Sequence, residues 1–126
     1  WAVHGKGPKN EGMDEMSLCA ETKISEWNSN EVNEFNIEPQ EFNLSPCELT
    51  DLKGGGPKEN ASIITSILKN EEQGPKREIV ALNAAAGFVI SGIAKDLGNG
   101  LEIAYRCIQD GTAMAKLDSL RDFRAS

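Results

Sequence analysis

Histidine and cysteine are scarce in this chain of 126 residues, and their scarcity excludes several kinds of chemistry. His4 is the single histidine, and no cysteine or serine–aspartate pair stands near it at a spacing that supports nucleophilic catalysis. It reads as a structural residue or as one that supports a site from behind. Cys19, Cys47 and Cys107 are odd in number and widely separated, without a Cys-x-x-Cys. They fit neither a disulfide framework nor a zinc site, and are expected as free thiols in the reducing cytoplasm. No run approaches the roughly 18 apolar residues that span a bilayer, and no charged–apolar–small signal segment is present, so no membrane partner is expected. The 13 basic residues are scattered, and the net charge is −7. Nucleic-acid binding draws on clustered Lys and Arg, so nucleic acid is not an expected partner either.

What is present is ordinary for a soluble globular domain: 39% hydrophobic and 26% charged residues. The chain opens on Trp1 rather than Met, already inside a short apolar strand, Trp1-Ala2-Val3. A domain that begins in its own core is expected to be the later part of a longer one.

The most informative local feature is Gly12-Met13-Asp14-Glu15, shortly after Val3-His4-Gly5. Neighbouring carboxylates repel, so the pair is favourable when a cation sits between the acids or water keeps them apart. Hard oxygen ligands suit Mg²⁺, which one or two carboxylates hold while waters and substrate phosphates complete the shell. The pair is read just past the end of the first strand, and ligands of open α/β sheets collect beyond strand carboxyl ends. The plainer alternative is a solvated acidic loop.

Further on, Thr22 to Trp27 and Val32 to Ile37 read as an antiparallel hairpin around Asn28-Ser29-Asn30, since Asn tolerates left-handed dihedrals. Glu38-Pro39 ends it, because proline has no ladder donor, and Pro46 to Thr50 belongs to an irregular connection. Gly54-Gly55-Gly56-Pro57 opens a first helix with Pro57 at its first position and Asn60, Ile64, Ile67 and Leu68 on one face. The glycines read as a strand-to-helix joint, since the full phosphate-loop pattern is missing. Gly74-Pro75 opens a second helix, Lys76 to about Gly92. Its Ile79–Ile90 part is apolar nearly all round, which implies burial on every side, or partial exposure where the sheet beside it is incomplete. Asn83 within it needs hydrogen-bond partners, expected from a neighbouring loop. A third helix carries Leu97, Leu101, Ala104, Tyr105 and Ile108; Gly111 interrupts it, and Leu117, Leu120 and Phe123 resume the stripe.

Taken in order, His4-Gly5, Gly12-Met13-Asp14-Glu15, Pro39-Gln40-Glu41-Phe42-Asn43-Leu44, Leu52-Lys53-Gly54-Gly55-Gly56, Glu59-Asn60-Ala61 and Leu82-Asn83-Ala84-Ala85-Ala86 form a series that resembles the C-terminal part of the anthranilate phosphoribosyltransferases. Met13, Asn43 and Gly56 depart from that family's usual Leu, Gly and Asp, and Lys6 to Glu11 lengthens the segment before the acidic pair. The resemblance implies an α/β fold of the nucleoside phosphorylase and phosphoribosyltransferase kind, with residues 1–126 as the C-terminal part of the α/β domain. The helical domain and most of the sheet would lie upstream.

It also implies transfer of phosphoribosyl from phosphoribosyl pyrophosphate to anthranilate in tryptophan biosynthesis, with Asp14 and Glu15 holding Mg²⁺. The parent is implied to be a homodimer. No catalytic nucleophile, general base or cofactor-binding residue is nominated, and the chain alone is expected to be inactive because the substrate sites lie upstream. The alternative is a non-catalytic relative of the same fold that binds nucleic acid or protein.

Overall fold

The computed structural model describes residues 1–123. Four strands form one antiparallel sheet: β1 (Ala2–Lys6), β2 (Gly12–Met13), β3 (Thr22–Trp27) and β4 (Val32–Ile37), in the spatial order β2-β1-β3-β4. A 3-10 turn at Pro39–Phe42 and five α-helices follow: α1 (Leu49–Leu52), α2 (Pro57–Leu68), α3 (Pro75–Ile90), α4 (Leu97–Gln109) and α5 (Thr112–Asp122). The fold is α/β, as the sequence implied, with strands first and helices after.

The hairpin forms where the sequence places it, with Thr22 opposite Ile37 and Trp27 opposite Val32. Ser29 takes the left-handed conformation in its turn, at φ 79°, flanked by Asn28, whose side-chain oxygen accepts from the Asn30 and Glu31 amides. Period-two alternation decides the faces: Thr22 and Ile24 are buried, while Lys23 between them is exposed. β4 is an edge strand with only Ile37 buried. Trp1 caps one sheet face, its ring edge-on to Phe35 at 5.7 Å and its indole N–H donating to Glu26 at 2.7 Å.

Behind the sheet, Met16, Leu18, Ile24 and Ile37 meet Ala81, Leu82, Ala85, Leu97, Leu101 and Ala104 in one core. α3 and α4 pack closely because both are small at their crossing. A Cβ on Gly100 would lie 2.7 Å from the Ala85 carbonyl oxygen. Asp96 caps α4, its carboxylate accepting from the Asn99 amide at 2.8 Å. Gly111, at φ 79°, separates α4 from α5, so the interruption expected there is a left-handed glycine that divides the stripe between two helices.

Three expectations are corrected, and one alternative is decided. Leu49–Leu52 is a single helical turn that begins inside the stretch read as irregular; the Asp51 carboxylate accepts from the Glu48 amide at 3.0 Å and closes it. α3 is not buried on every side: Ala81, Leu82, Ala85 and Ala86 are covered, whereas Val80, Ala84, Gly87 and Ile90 face outward. That is the partial exposure expected of an apolar helix beside a small sheet. On α2 only Ile67 of the expected face is buried, and Ile64 is half exposed. Leu120 and Phe123 are exposed, so the last stripe packs through Leu117 alone among its three members, and only partly.

Candidate metal-binding loop

β1 extends through His4 and Gly5 to Lys6, further than its apolar residues suggest. The Lys6 to Glu11 segment, which lengthens the chain before the acidic pair, is the tip of a tight hairpin. Gly7 donates its amide to the Glu11 carbonyl at 2.7 Å, Asn10 donates to the Gly7 carbonyl at 3.1 Å, and Asn10 sits at φ 66°. The chain therefore reverses, and Gly5 pairs with Met13 while Lys6 pairs with Gly12. Asp14 and Glu15 follow directly. They do not lie beyond the carboxyl end of β1, as the sequence suggested, but return alongside its middle, because the hairpin folds the chain back.

The return is close enough to dictate a residue type. A Cβ on Gly5 would strike the Glu15 carbonyl oxygen and come within 2.9 Å of the Ser17 Cβ. Any side chain at position 5 would push the acidic loop off the strand, which is the physical content of the His-Gly pair. His4, on the same strand, is exposed with its ring over Gly12, where a Cβ would meet Cε1 at 3.0 Å.

The loop is held from behind at Met16. Its amide donates to Asn83 Oδ1 at 2.9 Å, and its carbonyl accepts from Asn83 Nδ2 at 3.0 Å. The same Nδ2 donates to the Ile79 carbonyl at 2.9 Å. The expected role of Asn83, a structural bond to a neighbouring loop, is thus observed, and the loop is the acidic one. Its carboxamide reproduces the donor–acceptor pair of a strand neighbour, so the Met16 backbone is satisfied inside the core.

Ser17 and Thr22, both buried, complete the support. The Ser17 hydroxyl donates to the Lys6 carbonyl at 2.6 Å and accepts from the Cys19 amide at 2.9 Å, while the Ser17 amide donates to Thr22 Oγ1 at 2.9 Å. Sequence reasoning missed this pair. Their only signal was two small hydroxyl residues near the apolar Met16 and Leu18, which is common in surface loops. Nearby, the Lys6 ammonium lies 2.9 Å from Glu21 and holds that carboxyl below its ordinary range.

The arrangement presents the Asp14 and Glu15 side chains to solvent from a backbone that is fixed on both sides. Among the described residues, no group of three or more His, Cys, Asp or Glu comes together to enclose a metal. The glycine-rich joint before α2 behaves as a joint. The Gly55 amide donates to Asn60 Oδ1 at 2.8 Å and its carbonyl accepts from Asn60 Nδ2 at 3.0 Å, so that amide is already engaged. The three cysteines are free thiols, as expected. No helix is long and apolar enough to cross a membrane among the described residues.

The chain is 40% identical over 123 residues to anthranilate phosphoribosyltransferase of Desulfatibacillum aliphaticivorans, covering 98% of this chain and 35% of that protein. It is 43% identical over 120 residues to the enzyme of Geotalea uraniireducens, covering 95% and 33%. The crystal structure of anthranilate phosphoribosyltransferase from Thermus thermophilus superposes with a TM-score of 0.81 at 37% identity, covering 93% of this chain and 33% of that one. The Saccharomyces cerevisiae enzyme in complex with phosphoribosyl pyrophosphate and Mg superposes at 0.75 with 26% identity, covering 92% and 32%. The chain thus spans about a third of the length of the curated relatives it matches. The family model described as glycosyl transferase family, α/β domain, matches residues 7–114, and the chain belongs to that family.

Proposed function

We propose that this chain is the C-terminal part of the α/β domain of a magnesium-dependent anthranilate phosphoribosyltransferase. The whole protein would transfer phosphoribosyl from phosphoribosyl pyrophosphate to the amine of anthranilate, releasing pyrophosphate, on the path to tryptophan. The helical domain, most of the sheet and the homodimer surface would come from upstream sequence. The observation that carries the reading is the acidic pair itself. Two adjacent, exposed carboxylates stand on a loop whose backbone is braced by Gly5 on one side and by Asn83 on the other.

Asp14 and Glu15 are the residues that would hold magnesium. The donor set fits that ion: hard oxygens, with room for the waters and phosphate oxygens that it retains. Bound there, the ion would neutralise charge building on the departing pyrophosphate. The chain's own part is positional. Gly5 lets the loop lie against β1, Asn83 fixes its far end at Met16, and the carboxylates are then presented without a reorganisation cost when the substrate arrives. The acidic chain, at net charge −7, also needs such a bridge before it accepts a polyanion.

The test is the double substitution Asp14→Asn with Glu15→Gln in the full-length protein. Folding should be nearly unchanged, because both side chains are exposed. Turnover at saturating substrate should fall roughly a hundredfold or more, equivalent to about 3 kcal/mol of lost transition-state stabilisation. The Mg²⁺ concentration for half-maximal rate should rise. Wild-type turnover with wild-type Mg²⁺ dependence would make the pair a solvated loop.

A further inference from the structure

Cys19 and Cys47 are 28 positions apart in sequence, yet their sulfurs lie 3.9 Å from each other. The approach is built into the backbone. The Cys47 amide donates to the Leu18 carbonyl at 3.3 Å, which lays the segment entering α1 beside the end of the acidic loop. The Cys19 amide is fixed in turn by the Ser17 hydroxyl at 2.9 Å, and Leu18 between them is fully buried. Both thiols are half-buried, within reach of a small reagent. Cys107 sits apart on α4, beside Phe88 and Ala104.

We propose that Cys19 and Cys47 are a modification site, a dithiol that closes to a reversible intrachain disulfide and staples the acidic loop's far end to the segment entering α1. A disulfide needs the sulfurs at about 2.0 Å, so the pair must close by roughly 2 Å, and each sulfur swings on a single side-chain torsion. The oxidant is a low-molecular-weight disulfide of the glutathione class, which a reducing compartment holds mostly as the thiol and which accumulates under oxidative load.

The Cys19 thiolate attacks one sulfur of that oxidant and expels a thiolate, which takes up a proton. Cys47 then loses its proton and attacks the Cys19 sulfur, the mixed disulfide breaks, and a second small thiol leaves. Two protein thiols are oxidised and one small disulfide is reduced to two thiols. Cys19 opens the sequence because burial, the Cys19 thiol beside it and the Asp51 and Glu78 carboxylates push Cys47 up to about 12. Proximity compensates in the second step, since the attack is intramolecular.

The experiment treats the full-length wild-type protein with oxidised glutathione and maps its peptides by mass spectrometry. The expected product is a Cys19–Cys47 cross-linked peptide lacking two hydrogens, returned to free thiols by dithiothreitol. Cys47→Ser should leave a glutathione adduct on Cys19, whereas Cys19→Ser should leave Cys47 largely unmodified, because burial keeps its thiol protonated. Closing a loop of this length should raise the melting temperature of the full-length protein by roughly 3–7 °C, and reduction should reverse the rise. Glutathione adducts on Cys19 or Cys47 without the cross-link would overturn the proposal. So would both thiols staying reduced under conditions that modify Cys107.

Discussion

Replacing Asn83 by leucine tests whether the acidic loop is held from the core or merely rests on it. The substitution keeps the helix and the volume but removes the carboxamide that serves Met16 at 2.9 and 3.0 Å. Met16 is fully buried as a residue, so water cannot fully replace the lost partner. An unmet buried donor or acceptor costs about 1–3 kcal/mol. Because these bonds are only partly buried, the low end applies to each, and leucine regains some apolar burial. The net loss should be roughly 1–2 kcal/mol.

Asn83→Asp sharpens the test, because the carboxylate still accepts from the Met16 amide but can no longer donate. It sets a negative oxygen against the Met16 and Ile79 carbonyls, which raises the introduced carboxyl's pKa in the folded state. Protonation restores a donor, so the stability of this variant should be higher at pH 4 than at pH 7 relative to Asn83→Leu, and should fall as pH rises. Urea unfolding of the intact protein at both pH values, followed by circular dichroism, measures each midpoint at constant slope. A leucine variant as stable as wild type would refute the reasoning. So would an aspartate variant whose gap from leucine does not change with pH.

Other expectations follow from single contacts. Gly5→Ala should destabilise the protein by roughly 1–3 kcal/mol, since the methyl has only backbone and Ser17 to meet, and Gly100→Ala should do so at the α3–α4 crossing despite its better helix propensity; thermal melts matching wild type would disprove either contact. Cys47 is pushed up from 9.0 to about 12, chiefly by burial. The unfolded chain therefore ionises first above pH 9, and stability should drop between pH 9 and 12; an equal drop in Cys47→Ser would show another group responsible. The outward face of α3 leaves Val80 39% and Ile90 59% exposed, so the 126-residue chain alone should bind a hydrophobic dye and associate as its concentration rises. A dye-negative monomer would contradict this.

Local chemistry alone determined the hairpin from Thr22 to Ile37, the helix starts at Pro57 and Pro75, the break at Gly111, and Asn83 as a hydrogen-bonding core residue. Each rests on a short-range property: alternation, proline's fixed φ, glycine's access to positive φ, the cost of an unpaired amide. The ordered motifs likewise pointed to the family, because they are local strings. Tertiary structure decided the rest. The stretch from Lys6 to Glu11 looks like an insertion in sequence, but only a strand partner turns it into a hairpin tip that brings Asp14 and Glu15 back along β1. The apolar run of α3 carries no sign of which side is covered, since burial depends on what packs there. The nearness of Cys19 to Cys47 was invisible for the same reason. A backbone bond between Leu18 and Cys47 joins segments far apart in sequence, and no periodicity within either records that the other is there.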